Sequence, residues 1–481
     1  MASIKQPGGN LTFISVFSVQ LVPKSLQLAR EIIGNSGVIA FLLNPKNPNA
    51  KVDSQEMEET AKELFAAFST FRRKRSKFSE APCMSRTLDG SSSDRASYVT
   101  KTRTGFADLA SVIQNPTALL GDTAEAAMPP ALLSYVQGGC GDEFTQRRNV
   151  EAFRDWGLVP RMLVDTSRRD LSIELFGMKL PHPLFMCPIG VAGICAQDGH
   201  GDLAIAEAAR ASGFPVTIST LGNDPIEKVG AVLGDGIGFF QLYTPKDRGL
   251  AESFVKRAEN AGFKALIVTL DTWIPGWRPR DLSEANFPQL RGHVLENYFS
   301  DPNFRALLGK PPEEDSMAAV LTWTRIFGHV PTWNDLPWLR SITKLPIVLK
   351  GICHPDDARR AVDAGVDAIY CSNHGGRQAN GGVAAIDMLP GVVEAAGNVP
   401  VLFDSGIRTG TDAVKALALG ATAVGVGRPY IYGLALAGVR GVIHVMRSIL
   451  AEADLLMAVN GYPTLSDLRA AGINHGPRPF R

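Results

Sequence analysis

Residues 371–378, with the sequence Cys-Ser-Asn-His-Gly-Gly-Arg-Gln, bring together groups that could act on a small acidic molecule. They follow the mostly apolar run 366–370, which is typical of a buried strand. His374 can take a proton near neutral pH, and Arg377 offers a planar fork for a carboxylate. The two glycines after His374 let the backbone approach a flat ligand closely. The spacing predicts a base and an anion anchor that reach one small hydroxy acid, although the motif alone is also compatible with a surface turn.

The elements that position these residues are predicted from a repeating pattern. From about residue 181, short apolar strands alternate with helical stretches, as in repeated β-α units. Eight such units close into a (β/α)8 TIM barrel of the α/β class. An open doubly wound sheet is the alternative, but no G-x-G-x-x-G motif follows the first strand. The predicted strands are 184–187, 216–219, 238–243, 265–271, 346–351, 368–373, 401–404 and 423–427.

Polar residues stand at the carboxyl ends of the predicted strands. A charge at the end of a buried strand needs a partner, because an unpaired buried charge is costly. One such residue is compatible with an internal ion pair, but this many around one rim favour an active site at the C-terminal face of the barrel. The residues are Ser219, Gln241, Tyr243, Thr269, Asp271, Lys350, Ser372, His374, Asp404, Ser405, Gly427 and Arg428.

Two glycine-rich turns that bear arginines follow the last two strands, at 404–410 and 425–429. The loops after strands seven and eight are the common phosphate site of this barrel. Backbone N–H groups and an arginine together suit a phosphate dianion. These turns therefore predict a phosphorylated ligand.

A long insertion separates the fourth and fifth predicted strands, at 272–345. It holds five of the six tryptophans, and a loop of this length in a compact domain is usually a lid or another functional segment. It leaves from the C-terminal rim of the predicted barrel, so we expect it to lie over the active site.

The bulk composition argues against several classes of partner. The chain has 481 residues, 45% of them hydrophobic, and a net charge of +1. This charge gives no case for nucleic-acid or membrane binding. No apolar run approaches the roughly 18 residues of a membrane helix, and polar residues interrupt 11–22, the segment most similar to a signal sequence. We therefore expect a cytoplasmic protein.

The six cysteines predict neither a zinc site nor a disulfide framework, since none of them forms a CxxC pair. Free thiols in a reducing compartment and the absence of a bound metal are the expectation. The cysteines are Cys83, Cys140, Cys187, Cys195, Cys353 and Cys371.

The first hundred or so residues differ in character from the rest. Residues 57–71 fit an amphipathic helix, the basic run 72–77 follows, and 85–97 is rich in serine. A basic run of this kind is more typical of a solvated helix end or linker than of a nucleic-acid patch. We predict an N-terminal extension at 1–105, before a barrel domain at 106–481. The extension is lineage-specific or a mitochondrial targeting segment, or else the natural protein starts at Met84.

The motifs together resemble the FMN-dependent 2-hydroxy-acid oxidising family, over about 128–468. Besides 372–382, the similar segments include 132–135 with 138–145, 197–202, 239–245, 271–273, 276–281 and 351–355. The Ser-Asn-His-Gly-x-Arg-Gln signature is highly specific for this family. Within it, the Gly-Trp-Arg-Pro-Arg-Asp sequence at 276–281 points to the monooxygenase branch.

The resemblance implies a role for each matching residue. His374 is the catalytic base, Asp271 orients it, and Lys350 stabilises the reduced flavin. The substrate carboxylate is bound by Tyr135, Arg278 and Arg377, and the substrate hydroxyl by Tyr243. FMN contacts are implied for Ile189, Gly190, Ser219, Gln241, Thr269, Lys350 and Ser372 at the ring, for Asp404 at the ribityl chain, for Arg408, Gly427 and Arg428 at the phosphate, and also for Ser405 and Gly406.

The implied reaction is oxidation of (S)-lactate or a close 2-hydroxy acid, with O2 as second substrate. In the monooxygenase branch the 2-oxo acid stays bound and is decarboxylated, so that lactate and O2 give acetate, CO2 and water. An oxidase that releases the 2-oxo acid and H2O2, a dehydrogenase with another electron acceptor, and a flavin-binding protein without turnover stay open. Leu221 replaces a tryptophan of glycolate oxidase, which alters the substrate pocket. The family also suggests a homotetramer or homo-octamer.

Overall fold

The computed structural model describes residues 127–283 and 285–476, whose centre is a closed barrel of eight parallel strands. The order around the barrel is β10-β11-β4-β5-β6-β7-β8-β9, and β1 pairs with β12 outside it. The strands are β1 (Trp156–Leu158), β2 (Ile173–Leu175), β3 (Met178–Leu180), β4 (Leu184–Met186), β5 (Val216–Ser219), β6 (Gly238–Leu242), β7 (Leu266–Thr269), β8 (Ile347–Ile352), β9 (Ala368–Cys371), β10 (Val401–Phe403), β11 (Ala423–Val426) and β12 (Ile473–His475).

The barrel prediction is confirmed, and the open sheet is wrong. Each of the eight predicted strands overlaps one strand of the barrel, from β4 to β11. The strand ends differ from the predicted ones by at most two residues. In particular, β7 ends at Thr269, so that Asp271 lies in the loop after the strand rather than within it.

Helices follow the strands and pack around the barrel. Helix α14 begins with a capping box, in which Thr409 and Asp412 satisfy each other's backbone N–H groups. The helices are α1 (Pro130–Gln137), α2 (Phe144–Glu151), α3 (Ala192–Cys195), α4 (Gly201–Ser212), α5 (Ile226–Leu233), α6 (Arg248–Asn260), α7 (Pro279–Ser283), α8 (Glu296–Phe299), α9 (Pro302–Ala306), α10 (Ser316–Ile326), α11 (Leu336–Ile342), α12 (Pro355–Asp363), α13 (Ala385–Ala396), α14 (Gly410–Ala418), α15 (Arg428–Val459, broken at Ala437 and Gly438) and α16 (Leu465–Ala471).

The barrel interior changes from apolar to polar along the strands. Phe239, Val348 and Leu402 belong to a buried apolar cluster, which the hairpin β2–β3 joins through Leu175 and Leu180. Because side chains of a strand alternate between two faces, the residues two positions further on point the same way. Those residues are polar and include Gln241, Lys350 and Asp404. The strand period therefore places polar groups at one end of an apolar barrel.

The predicted insertion is confirmed between β7 and β8, where it forms helices α7 to α11. Its aromatic residues pack together and against the barrel, since the ring of Tyr298 contacts the rings of Phe304 and Trp323 in the insertion and that of Phe254 on helix α6. Trp277 at its start is 72% exposed. The insertion is therefore a folded segment rather than an extended loop.

The predicted helix at 57–71, the basic run and the alternative start at Met84 lie outside the described residues. Within 127–283 and 285–476, no helix combines the length and apolar character needed to cross a membrane.

Candidate active site

A cavity of about 590 Å³ opens at the carboxyl ends of the barrel strands. Most of the predicted site residues line it. Five do not: Ser219, Gln241 and Thr269 lie on the strands at the same rim, and Asp271 and Ser372 lie just after β7 and β9. The predicted residues on its wall are Tyr135, Ile189, Gly190, Tyr243, Arg278, Lys350, His374, Arg377, Asp404, Ser405, Gly406, Arg408, Gly427 and Arg428. The structure thus brings these residues together at one rim of the barrel.

His374 is held by an acidic partner. Its Nδ1 lies 2.8 Å from Oδ1 of Asp271 and 3.1 Å from Oγ1 of Thr272. An ionised carboxylate only accepts hydrogen bonds, so Nδ1 carries the hydrogen. In the neutral imidazole, Nε2 is therefore unprotonated. The backbone φ of His374 is 58°, a left-handed conformation that is uncommon outside glycine and clusters at functional sites. The backbone just after β9 therefore adopts an uncommon conformation that places this imidazole on the cavity wall.

Charges around the imidazole set its protonation state. Burial lowers the pKa of His374 below its ordinary value, although Asp271 opposes this. Burial alone would raise the pKa of Asp271, but His374 and Lys350 hold it at about 2. At neutral pH the pair is therefore a neutral imidazole beside an ionised carboxylate, which is the state that a general base requires.

Lys350 is a buried cation at the centre of the site. Its Nζ donates to Oγ of Ser372 at 3.1 Å and lies 3.9 Å from Oδ2 of Asp404. Burial alone would lower the pKa of Lys350, but Asp404 and Asp271 raise it above its ordinary value. The lysine stays charged, and it provides a fixed positive charge in a site of low dielectric constant.

Two guanidinium groups flank one tyrosine. The Cζ atom of Arg377 lies 4.9 Å and that of Arg278 5.4 Å from the ring centroid of Tyr135. Burial alone would raise the pKa of Tyr135, but the two arginines lower it. Arg278 also pairs with the buried Asp281 at 3.2 Å. Paired guanidinium groups beside a phenol suit a carboxylate.

Two further arginines of the cavity wall are held by uncharged hydrogen-bond acceptors. Arg428 donates Nε to the carbonyl of Val136 at 2.9 Å, and Nη1 of Arg408 donates to the carbonyl of Ile407. Neither forms a salt bridge with a carboxylate of the described residues. Burial, with Arg377 and Arg408 nearby, lowers the pKa of Arg428 to about 9. Half-buried cations that form no salt bridge favour an anion, and Gly427, directly before Arg428, is the N-cap of α15.

Buried polar atoms without hydrogen-bond partners indicate where another part of the anionic ligand binds. Among the described residues, Nε2 of Gln241 and Oγ1 of Thr269 have no hydrogen-bond partner. A Cβ atom on Gly190 would lie 3.2 Å from Cβ of Leu221, so the wall is tight there. Unsatisfied donors near Lys350, together with the unpaired arginines, fit the polar ring and the phosphate of FMN.

Four residues that contact this machinery were absent from the predicted set. Thr272 donates to Asp271 at 3.0 Å, and Asp281 pairs with Arg278. Gln378 donates to the carbonyls of Asp271 and Ile274, both at 2.9 Å. Gln146 accepts a hydrogen bond from Arg428. Thr272 and Asp281 stand one and three positions after the predicted residues Asp271 and Arg278, and this proximity could have indicated them. Gln146 comes from a distant helix and has no local signal.

No group of three or more histidine, cysteine or acidic side chains within the described ranges is arranged to hold a metal ion. The five cysteines of those ranges are free, and Cys83 lies outside them.

Comparison with known proteins identifies the family. A family model described as FMN-dependent dehydrogenase matches residues 124–475. The chain is 41% identical over 364 residues to the FMN-dependent alpha-hydroxy acid dehydrogenase qulF of Penicillium citrinum, covering 75% of this chain and 90% of that protein. It is 40% identical over 343 residues to an L-lactate oxidase of Lysinibacillus sphaericus, covering 71% and 88%.

Solved structures agree with the sequence comparison. The crystal structure of a soluble mutant of the membrane-associated (S)-mandelate dehydrogenase from Pseudomonas putida matches with a TM-score of 0.66 and 33% identity, over 74% of this chain and 98% of that one. The barrel, the cavity and both kinds of comparison lead to one conclusion: the chain belongs to the FMN-dependent dehydrogenase family.

Proposed function

We propose that the protein uses FMN to oxidise (S)-lactate or a close 2-hydroxy acid, and that it is a lactate 2-monooxygenase. The main support for the oxidation is the His374–Asp271 pair, because His374 lines one cavity with Arg278 and Arg377 and Asp271 holds its imidazole from behind. A base and two carboxylate anchors are what a 2-hydroxy acid requires. The names of the related L-lactate oxidase and alpha-hydroxy acid dehydrogenase support this substrate class.

Substrate binding follows from the charges on the cavity wall. The carboxylate of the hydroxy acid lies between Arg278 and Arg377, and the hydroxyl of Tyr135 adds a third contact. Bidentate contacts fix the orientation of a planar carboxylate. Tyr243, whose pKa burial raises to about 12, stays protonated and donates to the substrate hydroxyl. The reacting carbon is thereby held in one position, which reduces the entropy cost of reaction.

Proton removal is the task of His374. The unprotonated Nε2 takes a proton from the substrate, and the imidazolium that forms is stabilised by Asp271 at 2.8 Å. FMN, when bound, accepts the two electrons that leave the substrate carbon. Lys350, with Ser372 and Asp404 around it, supplies positive charge where negative charge then develops.

Monooxygenase activity requires that the 2-oxo acid is not released before O2 reacts. The insertion supports this, because its residues Ile274, Trp323 and Phe327 line the cavity together with Arg278. The arginine is anchored by Asp281 within the same insertion. A folded cover that also binds the carboxylate slows product release.

An oxidase that releases the 2-oxo acid and H2O2 is the second candidate. The 40% identity to an L-lactate oxidase over 88% of that protein favours it. Both candidates share the first half-reaction, so the residues at the end of β9 do not distinguish them.

Aerobic turnover of (S)-lactate with acetate, pyruvate and H2O2 all quantified tests the proposal. A lactate 2-monooxygenase forms acetate in proportion to the lactate consumed. Equal amounts of pyruvate and H2O2 would instead establish the oxidase. Turnover of (S)-mandelate in place of lactate would retain the oxidation of 2-hydroxy acids and reassign the substrate.

A further inference from the structure

Two cysteines lie side by side at the ends of β8 and β9, and neither lines the cavity. Cys371 is the Cα partner of Ile352, the residue before Cys353. The thiol of Cys353 donates to the carbonyl of Ser372 at 3.2 Å. Cys371 is fully buried, whereas Cys353 is partly exposed and packs against the same core. The proposed mechanism uses neither thiol.

The backbone spacing at this position suits a disulfide. Neighbouring strands lie about 4.8 Å apart, and disulfides join Cα atoms that are about 4.4–6.8 Å apart. Cys353 stands one residue beyond the paired position, so its Cα is within reach of that of Cys371. Both residues have free thiols in the structure. A bond between them therefore needs local side-chain movement rather than a rearranged barrel.

The two thiols differ in reactivity. A hydrogen bond with Cys371 lowers the pKa of Cys353, and the same interaction raises the pKa of Cys371 well above its ordinary value. Cys353 is thus the thiol with more thiolate at neutral pH, and it is also the more exposed. Thiolate content and exposure together decide which cysteine an oxidant attacks.

We propose that Cys353 and Cys371 are a modification site that forms a reversible disulfide with hydrogen peroxide as the oxidant. The Cys353 thiolate attacks one peroxide oxygen, the O–O bond breaks, and hydroxide leaves, which gives a sulfenic acid. The sulfur of Cys371 then attacks that of Cys353, the S–O bond breaks, and the leaving hydroxide takes the proton of Cys371. Two thiols and one H2O2 give one disulfide and two waters.

The disulfide acts on the active site through Ser372, which directly follows Cys371. The Oγ atom of Ser372 accepts from Nζ of Lys350 at 3.1 Å, donates to Asp404 at 2.5 Å and accepts from the backbone N–H of His374 at 3.1 Å. Bond formation removes the contact between Cys353 and the Ser372 carbonyl and shifts this strand end. Turnover therefore falls in the oxidised protein and returns on reduction.

Peptide mapping of the FMN-bound protein tests the proposal. The protein is treated with H2O2, free thiols are blocked, and the digest is analysed by mass spectrometry. We expect a cross-linked pair of peptides that contain Cys353 and Cys371, lighter by two hydrogen atoms than the reduced pair. Dithiothreitol removes the cross-link and restores turnover. C353S shows no cross-link and keeps its activity in peroxide, whereas C195S, altered at a buried thiol elsewhere, still forms it.

Two results would overturn the proposal. One is a peroxide-treated protein in which both cysteines stay free. The other is sulfinic acid at Cys353 with Cys371 unmodified, since that places the thiols out of reach of each other. The mapping needs no substrate turnover, so a failure of the proposed lactate chemistry leaves this result readable.

Discussion

Asp271 contacts Nδ1 of His374 with one carboxylate oxygen only. That oxygen, Oδ1, lies 2.8 Å from the imidazole nitrogen, while Oδ2 is buried without a hydrogen-bond partner in the described part of the chain. A carboxylate with one free buried oxygen keeps its charge because His374 and Lys350 stabilise it. Asp271 therefore stays negatively charged, and this charge stabilises the imidazolium of His374 when it forms.

Substitution D271N should reduce kcat by about 10²–10⁴-fold, the usual range for loss of general base support. The pH profile changes as well. Neutral His374 is the active form, so kcat/KM falls as the pH drops below its pKa, which burial lowers. Since Asp271 raises that pKa, its removal should move the acidic limb of the profile to lower pH. Steady-state kinetics across the acidic range measures both effects, and an unmoved limb would contradict the assigned coupling.

Substitution R428M should weaken FMN binding roughly ten- to hundredfold, because a lost charge-assisted contact is worth about 1.5–3 kcal/mol. The apoprotein should lose little stability, because the lost hydrogen bonds of the half-buried Arg428 are offset by removal of a cation that forms no salt bridge with a carboxylate of the described residues. Titration with FMN by fluorescence gives the Kd, and thermal unfolding of the apoprotein gives the stability. R147M, at a 54% exposed arginine of the adjacent helix α2, is the control and should leave both unchanged.

Substitution R278M should raise KM for the hydroxy acid by roughly ten- to hundredfold, since it removes one of two carboxylate anchors. Arg280, two residues further on, offers a matched control. Its side chain is 47% exposed and pairs with Glu143 rather than facing the cavity. R280M should therefore leave KM nearly unchanged, as expected for a surface ion pair. Equal effects of the two substitutions on KM would argue against a specific role of Arg278.

Substitution Q378A should loosen the start of the insertion. Gln378 donates to the carbonyls of Asp271 and Ile274 and accepts from the backbone N–H of Gly276 at 3.4 Å. Loss of these bonds should shift the products of aerobic lactate turnover from acetate toward pyruvate and H2O2. N380A, in the same turn but bonded to Thr145 and Asp142, should keep the wild-type ratio. A wild-type ratio in Q378A would mean that the insertion is held in place by other contacts.

The sequence was sufficient for features that depend on local pattern. Each barrel strand is a short apolar run. Because side chains alternate between two faces along a strand, the polar residues at its carboxyl end point into the site. The interval between His374 and Arg377 is fixed by the chain itself, so a motif of eight residues predicts both. The arginine turns after β10 and β11 were predicted for the same reason.

Contacts between distant segments could not be predicted in this way. The carbonyls of Tyr135 and Gly138, which accept from Nη1 of Arg377 at 2.7 and 2.5 Å, come from a segment before the barrel. Gln146 of helix α2 likewise accepts a hydrogen bond from Arg428 and holds it in place. Backbone carbonyls carry no sequence signature, so only the folded chain reveals which residues hold the arginines in place.

The most direct test of the central claim is the reaction of the FMN-bound protein with (S)-lactate in the absence of oxygen. We predict that the flavin absorbance bleaches rapidly in the wild-type protein. In H374Q, which retains FMN, bleaching should be slower by about 10²–10⁴-fold. A flavin that is not bleached by (S)-lactate or by another 2-hydroxy acid such as (S)-mandelate, or that bleaches equally fast in H374Q, would contradict it.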